Sequence, residues 1–245
     1  MDRKKRVATG ITGLDSMLGG GFIPGSANLV RGAPGTGKTL LGLQFLVQGT
    51  LQKEPGLLIS FEEFPHSLHN DAESLGWNLH ALEEQGLLHL YFTSPQVLLD
   101  SLSSPDSSLA ELFREKGIRR VLVDSVTHFT RVTNDPLELR DIYNSVVNAL
   151  KREGATSILL AEEGRGESPV TERGQLSFVV DTLILLRYVE IESAIQRAIA
   201  VLKMRGSEHA KEIRHLEIQR GGVSVFGVFE NRESILSGIS HRVSR

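Results

Sequence analysis

One segment of this chain, Gly32-Ala33-Pro34-Gly35-Thr36-Gly37-Lys38-Thr39, constrains its fold more than any other. Residues 26–31 are largely apolar and predict a strand before it, and residues 38–50 predict a helix after it. A glycine-rich turn in this context lets backbone amides and a helix N-terminus surround phosphates, while Lys38 reaches the terminal phosphates and Thr39 ligates magnesium. The sequence therefore predicts a site for a nucleoside triphosphate with Mg²⁺, whose binding residues are Gly32, Pro34, Gly35, Thr36, Gly37, Lys38, Thr39 and Leu40.

The rest of the chain alternates apolar strands with helical segments. Strands are predicted over residues 57–61, 88–92, 119–124 and 156–161, and helices over residues 65–75, 79–85, 109–116 and 136–153. After residue 182, strand-like runs follow one another with only short connections, which is typical of antiparallel strands. We therefore predict an α/β fold: a mostly parallel twisted sheet with helices on both faces and an antiparallel C-terminal extension.

No composition shift divides the chain into separate domains. Residues 93–108, where prolines stand beside serine clusters, predict an irregular connection with one helical turn, yet the alternation of helices and strands resumes after it. We therefore predict one domain over residues 1–245. Within it, residues 1–25 pack on the core and residues 227–245 form a C-terminal tail.

The composition is that of an ordinary folded, soluble protein. Hydrophobic residues make up 40% and charged residues 23% of the chain, so neither a disordered nor a fibrous protein is indicated. With 27 basic against 30 acidic residues, no overall positive field favours non-specific binding of nucleic acid. Cysteine is absent, and there is neither a secretory signal nor an apolar run of about 20 residues. We expect a cytoplasmic protein that makes no use of a membrane.

Acidic residues end two of the predicted strands. Asp124 ends the strand over 119–124, where a P-loop protein holds its magnesium through an aspartate, although such an aspartate is also a common helix cap. With the phosphate loop present, the magnesium role is favoured. Glu62 and Glu63 follow the strand over 57–61, in a position to activate the water that attacks the terminal phosphate. Two solvated glutamates before a turn at Pro65 explain the same pattern equally well.

A group of basic side chains follows a late predicted strand: Lys203, Arg205, His209 and Lys211. A solvated sheet edge is the more common explanation of such a group. Alternatively, these cations neutralise the phosphates bound by a neighbouring molecule.

Two histidines, His66 and His69, have i, i+3 spacing on a predicted helix. This spacing suits a shared metal, but no third ligand is evident and the chain has no cysteine. A surface role is therefore favoured over a metal site.

Together these elements resemble the KaiC-type branch of the RecA-like ATPases. The matching segments occur in family order over nearly the whole chain: Thr9-Gly10-Ile11-Thr12-Gly13-Leu14-Asp15, the phosphate loop, Ser60-Phe61-Glu62-Glu63, Val123-Asp124-Ser125-Val126-Thr127 and residues 203–211. Residues 181–191 and 197–207 are most similar to the C-terminal half of the circadian-clock members, which carry two such domains. The resemblance implies a RecA-like P-loop NTPase core that uses ATP.

The resemblance also implies a homo-oligomeric ring, usually a hexamer, with ATP between adjacent subunits. The catalytic side chains that it implies are Glu62, Glu63, Lys38, Lys203 and Arg205. The metal ligands that we expect with them are Thr39, Asp124 and Glu63. The resemblance further implies that Lys203, Arg205 and Lys211 reach the phosphates of the next subunit, with His209 close by.

Three functional hypotheses result. The leading one is Mg²⁺-dependent ATP hydrolysis by a ring with a regulatory role. The second is an autophosphorylating switch that binds a small partner protein, because Ser177 matches a serine phosphorylated in the family while Phe178 replaces the adjacent threonine. The third is a DNA-binding recombination ATPase with central loops over residues 128–135 and 163–173. The few arginines among several acids in these loops make DNA a disfavoured partner.

Overall fold

Strands and helices alternate through most of the computed structural model, which describes residues 5–104, 106–163, 176–229, 232–233 and 241–242. The strands are β1 Ala27–Gly32, β2 Gly56–Ser60, β3 Leu88–Phe92, β4 Arg120–Asp124, β5 Thr156–Glu162, β6 Thr182–Ile191, β7 Ala194–Met204, β8 Arg214–Gln219, β9 Gly222–Val228, β10 Arg232–Glu233 and β11 His241–Arg242. The helices are α1 Leu14–Met17, α2 Lys38–Leu51, α3 Pro65–Ser74, α4 Leu79–Glu84, α5 Pro95–Ser103, α6 Ser108–Lys116, α7 Pro136–Arg152 and α8 Leu176–Val179, with a 3₁₀ helix over Val126–Arg131.

Nine of these strands form one sheet in the order β3-β2-β4-β5-β1-β6-β7-β8-β9. The pairs from β3 through β6 are parallel, and the pairs from β6 through β9 are antiparallel. The predicted α/β fold with an antiparallel C-terminal extension is therefore confirmed. Since parallel strands end at the same edge of a sheet, the carboxyl ends of β1, β2, β4 and β5 lie along one edge, which we call the carboxyl edge.

Apolar side chains cover both faces of the sheet. The buried strands β1 and β2 alternate by residue, so that Val30 and Leu58 face one cluster while Leu29 and Leu57 face the other. Helices α1 to α4 pack on the first face, and α5 to α8 pack on the second. The first cluster also contains Ile11, Leu14 and Phe22 from the N-terminal segment. Helices therefore cover both faces, as predicted.

The predicted irregular connection over residues 93–108 is wrong, because a nine-residue helix, α5, occupies residues 95–103. Ser94 caps this helix, its hydroxyl accepting a hydrogen bond from the backbone N–H of Val97 at 3.3 Å. Pro95 occupies the first turn, where its missing N–H costs nothing, and Leu98 is buried. One of the prolines beside serines in the predicted irregular connection therefore starts a helix.

None of the helices in the described ranges is long and apolar enough to cross a membrane. Part of the third hypothesis lies outside the described residues, because residues 164–173 of its second loop are among those not described. Most of the predicted tail over residues 227–245 also lies outside the described residues.

Candidate functional site

The glycine-rich loop connects the central strand β1 to helix α2. Gly37 caps α2 with φ 101°, and Gly35 has φ 78°, both in the left-handed region that favours glycine. A Cβ at Gly35 would lie 2.7 Å from the Tyr188 hydroxyl, and one at Gly37 would lie 2.9 Å from Cδ1 of Ile218. Because Gly37 has no side chain, no side chain caps the first turn of α2, whose N–H groups therefore face the loop.

Lys38 folds back over this loop. Its Nζ donates hydrogen bonds to the carbonyl oxygens of Gly32 at 2.9 Å and Ala33 at 3.1 Å. Burial lowers the pKa of Lys38, while the nearby carboxylates of Glu162 and Asp124 act in the opposite direction. The ammonium group therefore lies at the mouth of a turn lined with backbone N–H groups, where it would meet phosphate oxygens.

Thr39 and Asp124 meet at the carboxyl edge. The Thr39 hydroxyl donates a 2.7 Å hydrogen bond to Oδ2 of Asp124, the last residue of β4. Burial raises the pKa of Asp124, and the Thr39 hydrogen bond and the charge of Lys38 partly offset this effect. A hydroxyl and a desolvated carboxylate are hard oxygen donors, and a cation between them would relieve the burial of negative charge. These two residues therefore fit Mg²⁺.

Glu62 and Glu63 follow β2 at the same edge but have different surroundings. The Glu62 carboxylate contacts Nε2 of His128 at 3.1 Å and Nη2 of Arg131 at 3.4 Å. Partial burial raises the pKa of Glu63, with smaller contributions in the same direction from Asp124, Asp71 and Glu62. Glu63 therefore lies close enough to Asp124 for the Asp124 charge to raise its pKa.

The contact between Arg131 and Glu62 also bears on the third hypothesis. Arg131 is one of the few cations in the first of the two loops assigned to DNA. Its guanidinium group lies against a carboxylate, which reduces the positive charge that this loop offers to a polyanion.

Glu162 also lies at this site, although the sequence analysis did not identify it. It is the last residue of β5 and lies opposite Gly32 in the parallel pairing with β1. Its charge raises the pKa of both Lys38 and Asp124. Its backbone N–H donates to the Thr127 hydroxyl at 2.8 Å. The rule that identified Asp124, an acid ending a buried parallel strand, would also have found Glu162.

Two side chains from the antiparallel extension reach the loop from the opposite side and were also missed. Nε of Arg197 donates to the carbonyl oxygen of Gly35 at 3.4 Å, and its guanidinium group stacks 5.5 Å from the centre of the Tyr188 ring. These residues lie on β7 and β6 and pair directly with each other. No spacing rule links them to a loop about 150 residues earlier in the chain.

The predicted cations Lys203 and Arg205 lie at the other edge of the sheet, which we call the amino edge. Lys203 pairs with Leu183 on β6, whereas Gly32 pairs with Leu186. Three strand residues correspond to about 10 Å along the sheet. The cations therefore do not join the phosphate loop of their own chain.

At the amino edge these cations contact the end of α8. Nζ of Lys203 donates to the carbonyl oxygens of Ser177 at 2.8 Å and Val180 at 2.7 Å. Nη2 of Arg205 donates to the carbonyl oxygen of Phe178 at 2.5 Å. Cations at a helix C-terminus satisfy its last carbonyl groups, so both side chains fix the segment that carries Ser177.

The two other predicted cations lie beyond β7. Nδ1 of His209 lies 2.9 Å from the carbonyl oxygen of Ala210, and Lys211 is exposed. Neither residue has a described contact with the loop from Gly32 to Thr39.

A glycine-rich loop between a central parallel strand and a helix, with a threonine–aspartate pair beside it, defines a P-loop protein with a RecA-like sheet. The family model described as "ATPase: KaiC" matches residues 7–229, and the chain therefore belongs to the KaiC family of ATPases.

Curated relatives agree with this assignment. The chain is 37% identical over 244 residues to circadian clock oscillator protein KaiC 1 of Synechocystis sp., covering 98% of this chain and 46% of the relative. It is 38% identical to circadian clock oscillator protein KaiC of Thermosynechococcus vestitus, with the same coverage. The chain thus spans about half the length of the curated relatives it matches.

Proposed function

We propose that this chain binds ATP with Mg²⁺ and hydrolyses it at the carboxyl edge of the sheet. The observation that carries the proposal is the 2.7 Å hydrogen bond between the Thr39 hydroxyl and the Asp124 carboxylate. It joins the first turn of α2 to the end of β4, so that magnesium-type oxygen ligands lie directly beside the phosphate loop. Membership of the KaiC family of ATPases supports the same activity.

The proposed reaction assigns separate roles to the side chains that it uses at this edge. The loop amides and Lys38 bind the phosphates, and Thr39 and Asp124, with Glu63 beside them, would hold Mg²⁺, which neutralises phosphate charge when bound. The pair Glu62 and Glu63 orients water and accepts its proton. The contacts of Glu62 with His128 and Arg131 hold that carboxylate in position at the end of β2.

Replacing both glutamates tests this assignment. Glu62→Gln with Glu63→Gln is expected to abolish Mg²⁺-dependent phosphate release, because an amide cannot accept the proton of water. Binding of a fluorescent ATP analogue should persist, since the phosphate loop is unchanged. Glu115→Gln, an exposed glutamate on α6, is the matched control and should keep full turnover. Undiminished turnover in the double variant would contradict the proposed chemistry.

A second part of the proposal is a ring in which adjacent subunits complete each other's sites. The supporting observation is the separation within one chain between the phosphate loop at the carboxyl edge and Lys203 and Arg205 at the amino edge. In a head-to-tail ring, the amino-edge cations of one subunit reach the phosphates of the next, with Lys211 and His209 near them. We propose six subunits, as the resemblance to the KaiC family implies.

Mass photometry with and without Mg²⁺-ATP tests the ring. A hexamer in the presence of nucleotide is expected. A monomer under both conditions would exclude the cross-subunit role of Lys203 and Arg205 while leaving ATP binding to the loop intact.

A second candidate function is autophosphorylation of Ser177 as a regulatory switch that alters binding of a small partner protein. The observation that favours it is the 2.8 Å hydrogen bond from Lys203, a proposed phosphate-binding cation, to the Ser177 carbonyl oxygen. Intact-mass measurement after incubation with Mg²⁺-ATP should show one added phosphate that is absent from Ser177→Ala. An unchanged mass in the wild-type chain would reject this function.

A further inference from the structure

Three side chains that take no part in the proposed ATPase site converge between helices α3 and α4. Nε2 of His69 lies 2.6 Å from Oε2 of Glu83, and Nδ1 of His80 lies 3.8 Å from the same oxygen. One ligand-type atom from each of His69, His80 and Glu83 lies within 4.8 Å of the other two. Two imidazole nitrogens and one carboxylate oxygen therefore lie close to one another.

This group differs from the pair considered in the sequence. His66, three residues before His69, is exposed and contacts Asn70 instead. The His69 side chain is only 13% exposed, so the expected surface role is wrong for this residue. Its partners come from the next helix, 11 and 14 residues further along the chain, which is why the i, i+3 pattern did not find them.

We propose that His69, His80 and Glu83 bind a late first-row divalent cation, of which Zn²⁺ is the best chemical match. Imidazole nitrogen suits Zn²⁺, Ni²⁺ and Cu²⁺, whereas Mg²⁺ takes oxygen ligands. Three protein ligands leave one tetrahedral position, which a water molecule fills from the adjoining cavity of about 330 Å³. The same cavity is lined by Glu73 and Trp77.

Binding requires a small and specific rearrangement. The rings of His69 and His80 are stacked with centroids 3.7 Å apart and planes only 8° from parallel, so their nitrogen lone pairs do not yet converge. Metal–nitrogen bonds of about 2.0–2.1 Å at tetrahedral angles place ligand atoms about 3.3 Å apart. His80 is free to make the necessary turn because its side chain is 74% exposed, while the half-buried His69, 13% exposed, holds the fixed position.

A bound cation would join α3 to α4 through side chains of both helices. Helix α3 starts at Pro65, two residues after Glu63, so the joined pair lies next to the segment that carries both glutamates. The proposed cation site does not depend on nucleotide, since its ligands differ from those of the ATPase site in both position and chemistry.

The chain supplies its own reporter for this site. Trp77 is the single tryptophan of the sequence and lines the same cavity as His69 and His80. Ni²⁺ quenches nearby indole fluorescence, whereas Zn²⁺, with a filled d shell, does not. The untagged chain is treated with EDTA and then titrated with NiCl₂, without nucleotide and in excess Mg²⁺. Its Trp77 fluorescence should fall to a plateau, and the Ni²⁺ concentration at half of the loss is the midpoint. Added ZnCl₂ should restore the fluorescence by displacing Ni²⁺.

Single substitutions at two of the three residues test whether this group binds the metal. His80→Ala and Glu83→Gln should each raise the Ni²⁺ midpoint at least about tenfold, since even groups that only orient metal ligands cost about 10–100-fold. His66→Ala, which removes an exposed histidine on the same helix as His69, is the control and should leave the midpoint unchanged. ZnCl₂ should also raise the melting temperature of the wild-type chain but not that of His80→Ala.

Three outcomes would overturn the proposal. They are unsaturable quenching, a midpoint unaffected by both His80→Ala and Glu83→Gln, and a midpoint raised equally by His66→Ala. Because His80 is exposed, failure of His80→Ala to fold is not expected, and its melting curve without metal verifies this. None of these outcomes bears on ATP hydrolysis, so the two proposals can fail separately.

Discussion

The carboxyl and amino edges of the sheet carry opposite charges. The carboxyl edge, which carries the phosphate loop, also carries the acids Asp124, Glu62, Glu63 and Glu162, and burial and neighbouring acids raise the pKa of Asp124 and Glu63. At the amino edge, Lys203 and Arg205 bind the carbonyl groups that end α8. Each chain therefore contains the proposed Mg²⁺-binding acids at one end of the parallel strands and the proposed phosphate-binding cations at the other end.

The largest expected effect comes from removing one of these cations. Arg205→Ala should lower the rate of ATP hydrolysis by about 10³-fold or more, because an arginine supplied to the transferred phosphate is worth about 10³–10⁵. Phosphate release from the assembled protein measures this effect. Arg114→Ala, an exposed arginine on α6, should be neutral.

Mixing two inactive variants tests directly whether the phosphate loop and the cations, as the two halves of one site, come from different chains. Lys38→Ala should lower the rate by about 10²–10³-fold, as expected for loss of one electrostatic contact. When Lys38→Ala and Arg205→Ala subunits assemble together at equal amounts, about a quarter of the head-to-tail interfaces carry both intact halves. Activity should return to about that fraction of the wild-type rate. A mixture no more active than its components would show that the halves do not cooperate across an interface.

A smaller effect is expected from Asp124→Asn, which removes one charge from the carboxyl edge. We expect the Mg²⁺ concentration for half-maximal hydrolysis to rise about 10–100-fold, as for other groups that position a metal. Titration of activity with MgCl₂ measures this change. Asp141→Asn, on the exposed face of α7, provides the control.

Asp124→Asn, although it is expected to weaken the use of Mg²⁺, should stabilise the fold. A carboxyl whose pKa is higher in the folded chain than in the unfolded chain binds more protons when folded, so stability falls as pH rises through that pKa. Asp124 is such a group. Without nucleotide or metal, Asp124→Asn should melt a few degrees above the wild-type chain at pH 8, where about 1 kcal/mol corresponds to about 2–4 °C. The difference should shrink towards pH 4, and a lower melting temperature at pH 8 would contradict it.

The last prediction, a change in stability alone, concerns the close approach of Tyr188 to the loop. Gly35→Ala should lower the free energy of unfolding by about 1–3 kcal/mol, because it combines a positive φ with a Cβ 2.7 Å from the Tyr188 hydroxyl. Gly117→Ala has a positive φ but no atom within 4 Å of its Cβ, so it measures the backbone effect alone. In a Tyr188→Phe background, the loss of unfolding free energy caused by Gly35→Ala should fall towards the loss caused by Gly117→Ala. Urea titration measures both losses.

Most of the fold and the centre of the site were predictable because their determinants are local. The phosphate loop is one continuous segment, and the strands before and after it have a clear apolar pattern. Asp124 was found because a parallel strand brings its last residue to a known edge, and Glu162 could have been found by the same rule. The exception is α5, because prolines beside serine clusters predict an irregular connection, although a Ser-Pro pair also starts helices.

Residues joined only by packing could not be predicted. Arg197 reaches Gly35 through the antiparallel pairing of β6 with β7, and the contact of Arg131 with Glu62 depends on how the 3₁₀ helix lies beside β2. His69, His80 and Glu83 meet because a turn brings α4 back against α3. None of these contacts has a fixed sequence spacing.

The sequence by itself determined the phosphate loop, the order of the helices and strands apart from α5, and the acids that follow β2 and end β4, because each depends on a short pattern and on the fixed geometry of strands. Only the tertiary structure decided that Thr39 meets Asp124, that Lys203 and Arg205 lie away from their own phosphate loop, and that two histidines converge on Glu83. The physical reason is that these relations depend on strand order, register and helix packing. Burial of apolar surface between distant parts of the chain selects the strand order, the register and the helix packing, and no local pattern encodes them.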